Sequence, residues 1–452
     1  MKKQVLIIGF LLLGIISLHS QNNSGVMELS LQKCIQMAID NNINVQTVRL
    51  DQEKSGHKVN EVRAMLLPKI NITGSFQDYF EQPITLLPGE IVGRPGTNIA
   101  ASIGTPYTTG AAIGLSQVLY NQTALTMLKL TKNMEALNAL GVEKACEKLT
   151  YEMSKLYFLT LTTSEQKILV EDNIARIKRL SDIIGVLVAN GMGKQIDYDR
   201  INVTLENLYT QLSNVDAALE QQTNLIKYMV VIPIEQNIVL TDTVEIPLLQ
   251  QSPNIQVNFS NHIDIQLLES QKKLNLLNKK MINHGYIPSL SFSAQFGYQG
   301  YRDEFKNYFR SSPENEWYSS SYIAVSLSIP VFDGLEKRAK SQQAMVDYRK
   351  TVMQLDDTKE RINIDYQNAV NNYNNHKNNV ERQKKNIALA EKVYLETALK
   401  YGEGLASMSD VLQDEMGLNN AQNTYITALY NFKEAELRIM SLNGEIKRMF
   451  NN

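Results

Sequence analysis

The chain can be laid over itself. LPKINITGSF at Leu67–Phe76 returns as IPSLSFSAQF at Ile287–Phe296, with Pro68 on Pro288, Ile72 on Phe292 and Phe76 on Phe296 at a shift of 220 residues. The same shift sets Asn41, Ile43 and Gln46 on Asn261, Ile263 and Gln266. Further on, Gly191 and Asp197 meet Gly404 and Asp410 at a shift of 213. Self-similarity on this scale confines the fold to one structural unit used twice.

Proline and glycine say what each unit contains. All 11 prolines fall within 68–106, 233–253 and 288–330, and no glycine lies between Gly334 and Gly402. With no proline and little glycine, the stretches from Tyr107 to Ile232 and from Val331 onward can hold helices of roughly 65–70 residues. Asn121 and Asp333 stand at the expected starts, and Asp333-Gly334-Leu335-Glu336 has the spacing of a capping box. Glycine-marked turns near Gly191 and Gly404 then send the chain back as a second helix.

The returning helices carry apolar seams in alternating steps of three and four. One runs Tyr198, Ile201, Leu205, Leu208, Leu212, Val215 and onward to Met229. The other runs Val411, Asp414, Leu418, Ala421, Tyr425, Ala428 and onward to Leu442. This spacing, held over four heptads, predicts coiled-coil packing of antiparallel hairpins.

Beside the prolines the period changes to two. Leu290, Phe292, Ala294, Phe296 and Tyr298 alternate with Ser289, Ser291, Ser293, Gln295 and Gly297, and Ile323, Val325, Leu327 and Ile329 alternate with small residues. Ile70, Ile72 and Phe76 repeat the pattern in the first half. One apolar and one small polar face over about ten residues predicts membrane-spanning strands. Tyr79, Phe80, Tyr298, Tyr301, Phe309, Trp317 and Tyr322 would supply an interfacial aromatic girdle.

The signals divide the chain into a signal peptide (1–20), a first repeat (21–230), a linking segment (231–261), a second repeat (262–443) and a C-terminal tail (444–452). Strands are expected near 68–80 and 111–120 in the first repeat and near 288–299 and 322–332 in the second. The helical hairpins are expected at 122–230 and 333–443. Lys2, Lys3 and the short apolar run Val5–Leu18 mark the export signal. Beyond it no stretch of about eighteen apolar residues offers a helical span. The formal charge of −2, or −4 after Lys2 and Lys3 are removed, argues against a nucleic-acid partner. Cys34 and Cys146 are too few for a disulfide framework and are expected to be small apolar fillers. The five histidines form no ligand-spaced pair, and no catalytic, metal or cofactor motif survives inspection. On the residues alone, a soluble periplasmic coiled-coil scaffold or adaptor stands beside a membrane duct.

Three segments carry a family resemblance: MELSLQKCIQMAIDNN at Met27–Asn42, VSLSIPVFDG at Val325–Gly334, and the run from Tyr401 to Leu437. In position and order they resemble the TolC family of outer-membrane efflux proteins. The resemblance implies a mainly α fold with a membrane β-barrel. Four strands per chain would complete a twelve-strand barrel and a helical tunnel as a homotrimer. The linking segment and the C-terminal tail would form an equatorial belt. It further implies an outer-membrane location in a Gram-negative bacterium, extension into the periplasm, and contact with outer-membrane lipid. The partners implied are a periplasmic adaptor (membrane fusion protein) and an inner-membrane transporter. Matching residue by residue places a pore gate at Asp197, Tyr401, Asp410 and Gln413, and adaptor docking at Gly191-Met192 and Gly404-Leu405. Gln413 stands where the family has a second acid, and Asp414, the one charge in its seam, is expected to replace it. The arginine usual five residues after the gate tyrosine is Ala406 here, and Asn42-Ile43 replaces Asn-Pro. The lipid-anchored branch, with its N-terminal cysteine, is not matched.

Overall fold

The computed structural model describes residues 26–244, 248–249, 257–310 and 316–450; the signal peptide expected at 1–20 lies outside them. The chain forms two compact units, and the long helices contribute to both.

The first unit comprises the described residues up to Ala38 with Met153–Pro247 and Asn379–Lys433. Its N-terminal strand β1 (Met27–Leu29) pairs in parallel with β6 (Ile238–Leu240) of the linking segment. β1 has no sequence signal of its own. Tyr157 clamps this small sheet: its hydroxyl donates to the Leu29 carbonyl and meets Asp242 Oδ2, both at 2.9 Å. Helix α1 (Leu31–Asn41) follows β1. The rest of the unit is built from the facing parts of α3 (Gln122–Ala189), α4 (Gln195–Val230), α6 (Glu336–Gly402) and α7 (Met408–Leu442). Val170, Ile177, Ile184, Ile201, Leu208, Val411 and Leu418 form one core, which is the packing the seams predict.

The second unit comprises Ile39–Glu152, Leu248–Asn378 and residues from Glu434 on. It holds α2 (Ile43–Ala64), with Asn42 accepting a hydrogen bond from Asn44 N as its cap, and α5 (Ile263–His284). Four antiparallel strands form one sheet in the order β2-β5-β7-β8. These are β2 (Lys69–Asp78), β5 (Tyr107–Tyr120), β7 (Ser289–Arg302) and β8 (Trp317–Ser328). The register aligns Ile70, Leu115, Ala294 and Ile323 in one row across the sheet, and Asn71, Gly114, Gln295 and Tyr322 in the next. The sheet thus has an apolar face and a polar or small one, as the period of two requires.

Strand limits differ from the expectation at the start of β5 and at both ends of β8, and β7 runs on to Arg302. β5 begins at Tyr107, because β2 stays paired as far as Asp78 opposite it. β8 ends at Ser328, two residues short of Pro330, which has no N–H with which to continue a ladder. A further hairpin of β3 (Ile84–Pro88) and β4 (Asn98–Ser102) sits in the β2–β5 connection, where prolines and glycines mask the alternation. Phe76, Tyr107, Phe305 and Tyr308 cluster with ring centroids about 6 Å apart at this end of the sheet, Phe76 stacked on Tyr107 and edge-on to the other two.

Both helix starts fall as expected, with one correction. Asn121 Oδ1 accepts from Ala124 N at 3.0 Å. At the second start Asp333 accepts from Lys337 N instead, and the Glu336 carboxylate pairs with Lys340 rather than reaching back. Gly334 and Leu335 both have positive φ there (65° and 67°), so α6 begins at Glu336, two residues too late for Asp333 and Glu336 to close a capping box. Cys34 and Cys146 are buried free thiols, as filler residues would be.

Candidate gate at the helical turns

The two hairpin turns are built alike. After α3, Gly191 N donates to the Val188 carbonyl and Met192 N to the Leu187 carbonyl, both at 2.9 Å. After α6, Gly404 N donates to the Tyr401 carbonyl at 3.0 Å and Leu405 N to the Lys400 carbonyl at 2.8 Å. Each pair of bonds is a Schellman motif, which needs a left-handed residue at its centre. Gly191 and Gly404 supply it with φ of 72° and 76°. The residue after that glycine ordinarily packs back on its helix. Here Met192 and Leu405 are instead 73% and 74% exposed. Two matched apolar side chains therefore stand in the open at equivalent points of the repeat.

Asp197 lies in the first turn of α4 with its side chain only 17% exposed, and Arg200 Nη1 stands 3.8 Å from its Oδ1. The two lie three residues apart on one helix turn. Tyr401, in the last turn of α6, packs against the core of the first unit. Burial pushes its pKa up, and the negative charge of Asp197 adds to the effect. The structure thus brings Asp197 and Tyr401, from the two halves of the repeat, within electrostatic reach of each other.

Asp410 is exposed and works as a helix cap. Its Oδ2 accepts from Ser407 N at 2.9 Å and Ser407 Oγ at 2.7 Å, and Ser407 Oγ accepts in turn from Asp410 N at 3.2 Å. The hydrogen bonds from Ser407 hold its carboxyl below the ordinary range, so its charge persists into acid. Gln413 is exposed and Asp414 half-buried.

The buried acid is the next residue. Glu415 is 1% exposed, and its Oε2 lies 3.4 Å from Arg176 Nε of α3. The two are an ion pair without a well-directed hydrogen bond, since neither Glu415 oxygen nor Arg176 Nε meets a partner at good geometry. Arg176 also stacks 5.1 Å above the Tyr394 ring of α6. Along the same helices Asn173 Nδ2 donates to Gln422 Oε1 at 2.9 Å, and Gln166 Nε2 to Asn423 Oδ1 at 3.0 Å. Sequence reasoning missed this row. The seam can step four residues from Val411 to Glu415 or three to Asp414, and both steps reach Leu418. The four-residue step faces the core.

Among the described residues no group of His, Cys, Asp or Glu is placed to hold a metal, and no helix is long and apolar enough to cross a membrane.

Comparison with known proteins now bears on these turns and this sheet. The family profile described as outer membrane efflux protein matches residues 279–445. The outer membrane protein TolC of Escherichia coli (strain K12) is 21% identical over 99% of this chain and 87% of its own length. Among solved structures, the open-state MtrE outer membrane channel of Neisseria gonorrhoeae superposes with a TM-score of 0.73 at 16% identity, over 93% of this chain and 91% of that one. The CmeC outer membrane channel of Campylobacter jejuni gives 0.72 at 13% identity, over 92% and 86%.

Proposed function

We propose that this chain, which belongs to the TolC family of outer-membrane efflux proteins, supplies one third of a trimeric exit duct. It is an outer-membrane channel protein and not an enzyme. The observation that carries the trimer is the sheet. Its order β2-β5-β7-β8 leaves β2 and β8 as its edges among the described residues. An open edge in lipid leaves a row of peptide groups without partners, so membrane strands occur in closed barrels. Four strands are too few to close around water, since the smallest such barrels have about eight. Three copies pairing β8 of one with β2 of the next close the barrel and satisfy every edge.

Cargo enters from a periplasmic adaptor and an inner-membrane transporter, which supply the energy; the duct itself is passive. Met192 and Leu405, exposed beside their left-handed glycines, are the adaptor contacts. The gate lies at the same turns. Asp197, Tyr401, Asp410 and Asp414, with Gln413 between the last two acids, line the constriction. Repeated by symmetry, the carboxylates favour cations over anions.

Asn at 410 keeps an oxygen for the Ser407 cap while removing the charge, which separates the two roles of that residue. The double variant Asp410→Asn/Asp414→Asn is therefore expected to insert in planar bilayers as open-closing channels like the parent. Its reversal potential in a salt gradient should move toward zero. A reversal potential equal to the parent's takes these carboxylates out of the lumen, and failure of the parent to conduct ions overturns the duct.

A further inference from the structure

The second unit contains a pocket that the duct does not use. It has a volume of about 340 Å³ and lies among α3, the start of α5, α6 and the end of α7. Glu147 of α3 forms part of its wall and is only 8% exposed. Its Oε1 is buried with no hydrogen-bond partner among the described residues. A carboxylate oxygen shut away from water without a donor is costly, and such groups in native proteins call for an explanation.

The charges around it pair off in a way that supplies one. Lys144 Nζ meets Asp264 Oδ1 at 2.7 Å, and Arg438 Nη2 meets Asp365 Oδ2 at 3.4 Å. Lys148 leans outward toward Glu152, 3.9 Å away and well exposed. His262 spends its Nδ1 on the Asp264 backbone N–H and is kept neutral by burial. Two charged groups are left over. Glu147 at the wall needs a donor, and Arg361, exposed on α6, has no ion-pair or hydrogen-bond partner among the described residues. One is an anion and the other a cation.

We propose that this pocket binds a small zwitterion, an amino-acid-like molecule whose ammonium group sits on Glu147 and whose carboxylate sits on Arg361. The ammonium supplies the missing donors to the buried oxygen, and the guanidinium offers two parallel N–H groups to a carboxylate. The volume fits a small molecule, being at the low end for ligand sites.

The site also has a direction of pH dependence. Burial pushes Glu147 up to about 7, with further upward pressure from Glu143 on its own helix and Asp264 on α5, and relief from Lys447 in the C-terminal turn. Arg361 and Asp365 of α6, Arg438 of α7 and Lys144 and Lys148 of α3 complete the charged groups facing it. An ammonium group binds the ionised carboxylate, so binding releases a proton. Affinity should rise about tenfold from roughly pH 6 to pH 8 and level off above, since the ionised fraction changes by that factor around a midpoint near 7.

The test is calorimetric titration of the full chain in detergent micelles with three probes of equal length: 6-aminohexanoate, hexanoate and hexylamine. 6-Aminohexanoate is expected to bind at least about tenfold more tightly than either singly charged probe. Arg361→Gln, on the surface and harmless to folding, should abolish that advantage. Glu147→Gln should weaken binding and remove its pH dependence. Equal affinity for hexanoate would make the pocket an anion site and overturn the proposal. So would heat with none of the probes, or an unchanged titration in Arg361→Gln.

Discussion

Arg176→Ala is expected to destabilise the packed part of α7 by about 3–5 kcal/mol at neutral pH, because it leaves the Glu415 carboxylate buried and alone. Glu415 is 1% exposed, and Arg176 is the group that opposes the upward pull of burial on its pKa. The sign with pH follows. Without Arg176 the folded-state pKa of Glu415 rises further above its unfolded value. Stability is then greatest below the unfolded pKa, about 4.3, and falls as pH rises through the folded one. The variant should therefore recover in acid. Native-state hydrogen exchange across residues 411–422, compared at about pH 5 and pH 8, reads the local opening directly. Glu415→Gln removes the buried charge while Arg176 keeps Tyr394 and water, so a much smaller effect is expected. Equal losses in the two variants, or no acid recovery in the first, would show that the pair is not held as a buried charge.

Ile72→Arg should prevent the chain from assembling stably in lipid. Ile72 lies mid-strand in β2 and shares the apolar face with Ile113 and Phe296, its neighbours in the register. An arginine on the lipid side of a barrel costs about 2–4 kcal/mol near the bilayer midplane, and three copies impose it three times. Thr73→Arg, one residue on, points to the opposite face and should be tolerated, because that face looks onto water in the closed barrel. Heat-resistant trimer on a gel reports both. Loss in Thr73→Arg with survival of Ile72→Arg would mean that the sheet is turned the other way.

The long helices, the strands and their doubling were legible in the sequence because each rests on a strong local rule. Proline and glycine are excluded from helix interiors, and one buried face forces a period of two in a sheet. Hence the helices begin beside Asn121 and Asp333, and the strands follow Pro68 and Pro288. What was not legible depends on contacts distant in sequence. β1 is three residues long and exists only because β6 passes beside it. The β3–β4 hairpin lies among prolines and glycines that signal a loop.

The candidate gate shows the same division. Gly191 and Gly404 announce their turns, since only a left-handed residue closes a Schellman motif there. The choice between Asp414 and Glu415 turns on helix rotation by a single residue, which both phases of the seam allow. Tertiary packing against Arg176 and Tyr394 decides it. The partner of Asp197 was likewise hidden, because Arg200 pairs within its own helix while the family pattern directs attention to Ala406. Neither Glu147 nor Arg361 stands out in a helix with many charges; only the pairing of their neighbours singles them out.

The central claim is that four strands per chain close a barrel by threefold assembly in the outer membrane. Native mass spectrometry of the chain extracted from outer membranes tests it most directly. The expected result is a complex of three mature chains that leaves the membrane only with detergent. A single chain recovered from a detergent-free periplasmic extract would contradict it.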